Sequence, residues 1–269
     1  MYFVKTTDEV NLAVYDLNPK GKRTILLLHG WPLSHLIFEY QTEMLLSENW
    51  RVITMDLRGF GNSDAAAGGY GYDQMAEDLY RVVCALRPDR FVLVGFSMGG
   101  AVALRYMNRF QGYGVKKLLL LAAASPRLVR SSDFPLGPEP DMINAWIEEA
   151  ASDRPALVRR FSRERLFACC HCDAALDWFE RIALTASGIA TVQCAISLRE
   201  EDGRADLESV RVPTVIFHGG KDRVVPPALA RYQQEHICGA GLCILENSGH
   251  GIFYDELDRF NGALLRALQ

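Results

Sequence analysis

Five short runs of nearly unbroken apolar residues constrain this chain more than any other feature. They are TILLL at 24–28, RVITM at 51–55, RFVLVG at 90–95, KKLLLLA at 116–122 and TVIFHGG from Thr214. A strand with one wet face alternates apolar and polar residues, whereas a strand covered on both faces does not. VNLAVYD at 10–16 does alternate and reads as a half-exposed strand, and GLCIL at 241–245 adds one more strand. Between the runs the period changes to that of a helix. Residues 72–87 place Met75, Leu79, Val82, Val83 and Leu86 on one face and stop at Pro88. Residues 98–110 carry Val102, Leu104, Tyr106 and Phe110, and further helices fit Pro227–His236 and the stretch from Glu256. Buried strands alternating with helices predict an α/β fold with a mostly parallel sheet and helices on both faces.

The alternation lapses between Ser125 and Asp206. This stretch opens with the proline-rich DFPLGPEP and continues with helical segments around Trp146, Phe161–Phe167 and Trp178–Leu184. Ligands of open α/β sheets bind beyond the carboxyl ends of the strands. A helical insertion there acts as a lid. The expected organisation is therefore a core of residues 1–124 and 206–269 with a helical cap at 125–205.

Charge and cysteine usage exclude several classes of function. With 29 Lys and Arg against 33 Asp and Glu, the formal charge is −4, so nucleic acid is not an expected partner. Arg159, Arg160, Arg163 and Arg165 are interrupted by Phe161 and Glu164 and read as a solvated helix face. MYFVKTTDEV lacks a basic segment followed by an apolar one, and LLLLAAA is too short to span a bilayer, so neither a secretory signal nor a membrane partner is expected. Seven scattered cysteines fit reduced thiols and a cytoplasmic location. Cys169 and Cys172 have CxxC spacing around Cys170 and His171, but no second pair exists to complete a zinc site. They read as small, partly buried helix residues, and no metal or cofactor is expected.

Chemistry concentrates at VGFSMGG. Gly95-Phe96-Ser97-Met98-Gly99 fits G-x-S-x-G at the junction of a buried strand and a helix. A sharp turn there forces the serine into a strained conformation, lifts its hydroxyl out of the core and aims the following N–H groups above it. A helix-capping serine with glycines for packing is the competing reading. A serine hydroxyl needs a base, and the base needs an orienting acid. His250, in NSGHGIF between the last strand and the last helix, stands on the same sheet edge as Ser97. His29 and His218 end strands and read as structural, while His35, His171 and His236 have nothing distinctive around them. Asp222 follows TVIFHGG-Lys221 on that edge, whereas the strand ending near Ala122 is followed by Ala123, Ala124 and Ser125 and offers no carboxylate. The backbone N–H groups of Met98 and Trp31 are the candidate oxyanion donors, Trp31 lying in His29-Gly30-Trp31-Pro32 where Gly30 allows a tight turn and Pro32 stiffens the loop. Asp56 in DLRGFGNSD reads as part of a turn held with Arg58.

With HGWPLS, DLRGFGNSD, GFSMGG, GGKD and NSGH in this order, the chain resembles the α/β-hydrolase superfamily over essentially its whole length. HGWP followed by VGFSMGG resembles the cofactor-free haloperoxidase, perhydrolase and arylesterase group within it. The resemblance implies an eight-stranded sheet, a triad of Ser97, Asp222 and His250, oxyanion donors at Trp31 and Met98, and no cofactor. It implies an esterase acting on small carboxylic esters or lactones, with perhydrolysis as a side activity. Hydrolysis of a carbon–carbon bond in a ring-fission product and slow-turnover ligand binding are the alternatives. Phe134, Trp146, Phe161, Phe167 and Trp178 in the cap suggest an apolar pocket.

Overall fold

The computed structural model describes residues 1–269. Its strands are β1 (Tyr2–Lys5), β2 (Asn11–Leu17), β3 (Arg23–Leu28), β4 (Trp50–Met55), β5 (Phe91–Phe96), β6 (Val115–Leu121), β7 (Thr214–Gly219) and β8 (Gly241–Leu245). They form one eight-stranded sheet in the order β1-β2-β4-β3-β5-β6-β7-β8. The pairings β1–β2 and β2–β4 are antiparallel and the remainder are parallel. This is the α/β-hydrolase fold.

Why the apolar runs are unbroken is visible in their burial. All of β5 is buried, as are Ile25–Leu28 in β3 and Leu118–Leu121 in β6. Each large side chain fully removed from water contributes on the order of 1.5–3 kcal/mol, so the centre of the sheet is its rigid part. β1 was not expected. Only Val4 of its four residues is buried, and Tyr2 and Phe3 face solvent at the sheet edge, so no alternation marks it.

Helices cover the sheet: α1 (Glu39–Ser47), α2 (Tyr72–Leu86), α3 (Met98–Arg109), α4 (Pro140–Ser152), α5 (Arg154–Arg160), α6 (Asp173–Leu184), α7 (Gly188–Glu200), α8 (Arg204–Glu208), α9 (Pro227–His236), α10 (Ile252–Asp255) and α11 (Leu257–Leu268). α2 buries Met75, Leu79, Val82 and Val83 and ends at Arg87, whose left-handed φ of 44° precedes Pro88. α4 to α7 form a helical insertion between β6 and β7, with a π-helical turn at Phe161–Arg165. Within it α4 packs on α5 and α7, and α5 packs on α6. α8 docks on α3: Asp206 accepts from Arg105 Nε at 2.8 Å and Asn108 Nδ2 at 2.7 Å. No single helix is long and apolar enough to cross a membrane.

Candidate active site

Ser97 stands between β5 and α3 with φ 53° and ψ −120°, a conformation that L-residues rarely adopt. The surrounding structure imposes it. Ser97 N–H donates to Leu121 O at 2.9 Å, and its carbonyl accepts from Gly100 and Ala124 at 2.9 and 3.0 Å. The neighbouring glycines are required by close approach: a Cβ on Gly95 would sit 2.5 Å from Gly99 O, and one on Gly100 would sit 2.5 Å from Ala123 Cβ. The Ser97 hydroxyl makes no capping bond to α3. It points instead to Nε2 of His250 at 2.9 Å. The helix-cap reading of this serine is therefore excluded.

His250 lies in the loop between β8 and α10 and is fully buried. Its Nδ1 is 2.8 Å from Asp222 Oδ2. A carboxylate can only accept, so Nδ1 carries the proton and Nε2 is the lone-pair nitrogen facing Ser97. Asp222 Oδ1 accepts from Val224 and Val225 N–H at 2.8 and 2.9 Å, so one oxygen holds the turn while the other faces the imidazole. Burial works to raise the Asp222 carboxyl. The contact with His250, then His218 and the Val225 N–H, outweigh it and hold the group below the ordinary carboxylate range. His218 donates from Nε2 to Val225 O at 2.8 Å, and burial keeps its pKa low. All three expected residues thus meet in one chain of hydrogen bonds.

Trp31 and Met98 N–H groups donate to no acceptor within the chain. Gly30 starts the expected tight turn, Leu33 N–H donating to its carbonyl at 2.9 Å, and it has a second task. Its φ is not positive, but a Cβ there would lie 2.7 Å from Ser97 Cβ and 2.9 Å from Phe96 O. Absence of a side chain, not turn geometry, lets this loop approach the serine. The Trp31 indole donates to Thr191 O in α7 at 2.9 Å and stacks on Trp146 at 5.4 Å.

Around this centre the loops are pinned by buried polar groups. His29 donates from Nδ1 to Gly30 O at 3.0 Å and accepts from Leu57 N–H at Nε2, 2.9 Å; burial lowers its pKa to about 4. Arg58 is buried and makes two bonds to Asp78, at 2.6 and 2.7 Å, and two to Asp8, at 2.8 and 3.1 Å. Asp56 closes its turn by accepting from Asn62 N–H at 2.9 Å. Two histidines that the sequence left unremarkable have specific partners. His35 stacks on Tyr15 and donates from Nδ1 to Asp56 at 2.8 Å. His171 donates from Nε2 to buried Asp255 at 2.7 Å. Asp255 was missed altogether, because an aspartate in GIFYDELD has no sequence mark that separates it from a solvated one.

The insertion corrects two expectations. Cys169, Cys170 and Cys172 lie in the loop before α6, not in a helix, and only Cys169 is partly buried among the three. On the arginine run Arg159 and Arg160 are exposed, and acidic neighbours pair with it: Arg160 with Glu149, and Arg163 with Asp173, Asp177 and Glu180. The aromatic residues do not line one pocket. Trp146 and Phe161 pack with Trp31, Phe167 and Trp178 cluster with Phe179 and Tyr254, and Phe134 packs on Tyr232 of α9. Ser97 itself is 4% exposed. Cavities of 490 and 640 Å³ open beside the insertion, and neither is lined by Ser97, Asp222 or His250. No group of three or more His, Cys, Asp or Glu side chains is placed to hold a metal ion.

Known proteins share this architecture. A family model described as the alpha/beta hydrolase family matches residues 25–263. An AB hydrolase superfamily protein, YisY, of Bacillus subtilis (strain 168) is 40% identical over 263 residues, covering 98% of this chain and 97% of its own. Among solved structures, an esterase from Exiguobacterium antarcticum superposes with a TM-score of 0.95 at 39% identity, covering 98% of both chains. A bromoperoxidase from Bacillus anthracis superposes with a TM-score of 0.94 at 31% identity, covering 99% of this chain and 98% of its own.

Proposed function

Because the chain belongs to the alpha/beta hydrolase family, we propose that it is a serine hydrolase that cleaves small carboxylic esters or lactones through an acyl-enzyme on Ser97. The observation that carries this reading is the 2.9 Å contact between Ser97 Oγ and His250 Nε2 at a strained serine. The name of the Exiguobacterium esterase supports the substrate class.

The proposed reaction has two halves. Ser97 Oγ attacks the ester carbonyl carbon, and its proton passes to Nε2 of His250. The carbonyl oxygen takes the negative charge and is bound by Trp31 and Met98 N–H groups, which have no other acceptor. Collapse breaks the bond to the leaving oxygen, which takes the proton from His250. Water then attacks the acyl-enzyme with the same imidazole as base, and Ser97 leaves with its proton restored. Asp222 holds the Nδ1–H tautomer throughout and stabilises the transient imidazolium. Residues 125–205 act as a lid. With Ser97 almost fully covered, substrate enters when part of that insertion moves away from the sheet edge.

A p-nitrophenyl ester series of increasing acyl length, measured with the parent protein and Ser97→Ala, tests the reading. Removing a serine nucleophile costs on the order of 10⁶ in kcat. Retention of most of the activity by Ser97→Ala would overturn it.

A further inference from the structure

The glycines on both sides of His250 are tied to the insertion, one directly and one through Asp255. Gly251 N–H donates to Leu166 O at 2.6 Å. Gly249 N–H donates to Asp255 Oδ2 at 2.6 Å, and the same oxygen accepts from Ala168 N–H at 2.8 Å. The other oxygen, Oδ1, accepts from Cys169 N–H at 3.1 Å and from His171 Nε2 at 2.7 Å. Four donors thus converge on a carboxylate whose side chain is fully buried, which fills its acceptor sites. Three of the four come from residues 168–171 of the insertion, and the fourth is the N–H of Gly249, the residue before His250.

The glycines of NSGHGIF fit this docking. Neither has positive φ. A Cβ on Gly249 would lie 2.7 Å from Ala168 N, and one on Gly251 would run into the Phe167 ring. The segment 166–171 therefore lies flush on the loop that carries the base, and only glycine allows that spacing. His171 completes the contact from outside, with its ring packed between Phe167 at 4.7 Å and Tyr254 at 5.1 Å.

We propose that Asp255 is a positioning residue for the reaction at Ser97, with His171 acting through it: together they clamp segment 166–171 onto the His250 loop and fix the height of the imidazole between Ser97 and Asp222. The proposal rests on the reading of Ser97 as nucleophile. It also assigns a fixed end to the lid. Movement at 166–171 displaces the base, so the part of the insertion that opens lies elsewhere.

The experiment compares Asp255→Asn, His171→Leu and His171→Gln with the parent on one p-nitrophenyl ester. An asparagine cannot accept four donors, and leucine removes the outer donor, whereas glutamine keeps one. Small misplacement of a catalytic group costs up to about 10²-fold. The expected result is a fall in kcat of roughly 10- to 100-fold in Asp255→Asn, a smaller fall in His171→Leu, and recovery in His171→Gln, all with KM little changed. The far-downfield proton resonance of the His250–Asp222 hydrogen bond is expected to broaden or vanish in the first two. Folded Asp255→Asn and His171→Leu proteins with parental kcat and an unchanged resonance would overturn the proposal. If Asp255→Asn does not fold, the half-buried His171 pair decides alone, because parental values for His171→Leu contradict the clamp. Labelling by a fluorophosphonate separates the two levels. A parent protein unlabelled at Ser97 defeats the nucleophile reading, whereas equal labelling rates in parent and variants defeat only the positioning role.

Discussion

The indole N–H of Trp31 donates to the carbonyl of Thr191 across 2.9 Å, which fastens the loop after β3 to helix α7 of the insertion. The main-chain N–H of the same residue is the expected oxyanion donor, so one tryptophan ties that donor to the insertion. Trp31→Phe keeps the backbone donor and most of the ring area while removing this bond. Losing a buried hydrogen bond costs about 1–2 kcal/mol, so urea unfolding is expected to show a loss of that size. Activity is expected to fall less than about tenfold, against roughly 10⁶ for loss of the nucleophile. A kcat as low as that of Ser97→Ala, with unchanged stability, would mean that the indole itself takes part in the chemistry.

The φ of 53° at Ser97 is a local cost borne by the fold. Strained non-glycine conformations cost on the order of 1–3 kcal/mol, and glycine adopts them freely. Ser97→Gly is therefore expected to be more stable than Ser97→Ala by about 1 kcal/mol, after the greater freedom of glycine in the unfolded chain is subtracted. Both variants lose the nucleophile. Equal denaturation midpoints for the two would remove the argument that the turn is strained.

Much of this was legible from residues alone. The unbroken apolar runs mark β3 to β7 to within a residue or two because central strands are buried on both faces. Ser97, Asp222 and His250 were found because each follows a recognisable strand on one sheet edge, and the hydrogen bonds at 2.8 and 2.9 Å bring them together. What escaped notice depends on tertiary contact. β1 has one inward residue, Val4. His35 and His171 gain their partners only when distant loops meet, 21 and 84 residues away in sequence. Gly30 starts the turn that the sequence suggests, yet its second constraint is the nearness of Ser97 Cβ, which no local pattern encodes.

Acid is expected to weaken the fold through its buried neutral histidines. His29 is held near pKa 4 by burial, below the ordinary 6.5, and its Nε2 must stay unprotonated to accept from Leu57. The unfolded chain therefore binds a proton that the folded one refuses, and stability falls as pH drops from about 7 toward 4. His29 alone contributes a loss of about 2 kcal/mol between pH 7 and 5, and His218, also lowered by burial, adds in the same direction. Denaturant midpoints at pH 7 and 5 check this, and His29→Gln is expected to flatten the slope. A midpoint that holds or rises on acidification would contradict the neutral assignment.

The pair Arg58–Asp78 is buried on both sides and bonded twice. Removing one partner of a buried ion pair costs about 3–5 kcal/mol because the other charge is left uncompensated. Asp8 still faces Arg58 from a more exposed position, so Asp78→Asn is expected near the lower limit, about 3 kcal/mol. Equilibrium unfolding at neutral pH measures it, and a loss under about 1 kcal/mol would show that Asp8 alone neutralises the guanidinium.

Trapping the covalent intermediate tests the role of Ser97 directly. The protein is mixed with p-nitrophenyl acetate, quenched in acid within the burst of p-nitrophenol release, and digested for mass spectrometry. The expected result is an acetyl group on the peptide carrying Ser97, in amounts matching the burst, and neither burst nor adduct in Ser97→Ala. Steady ester turnover by the parent protein with the Ser97 peptide unmodified and a Ser97→Ala variant of comparable activity would contradict it.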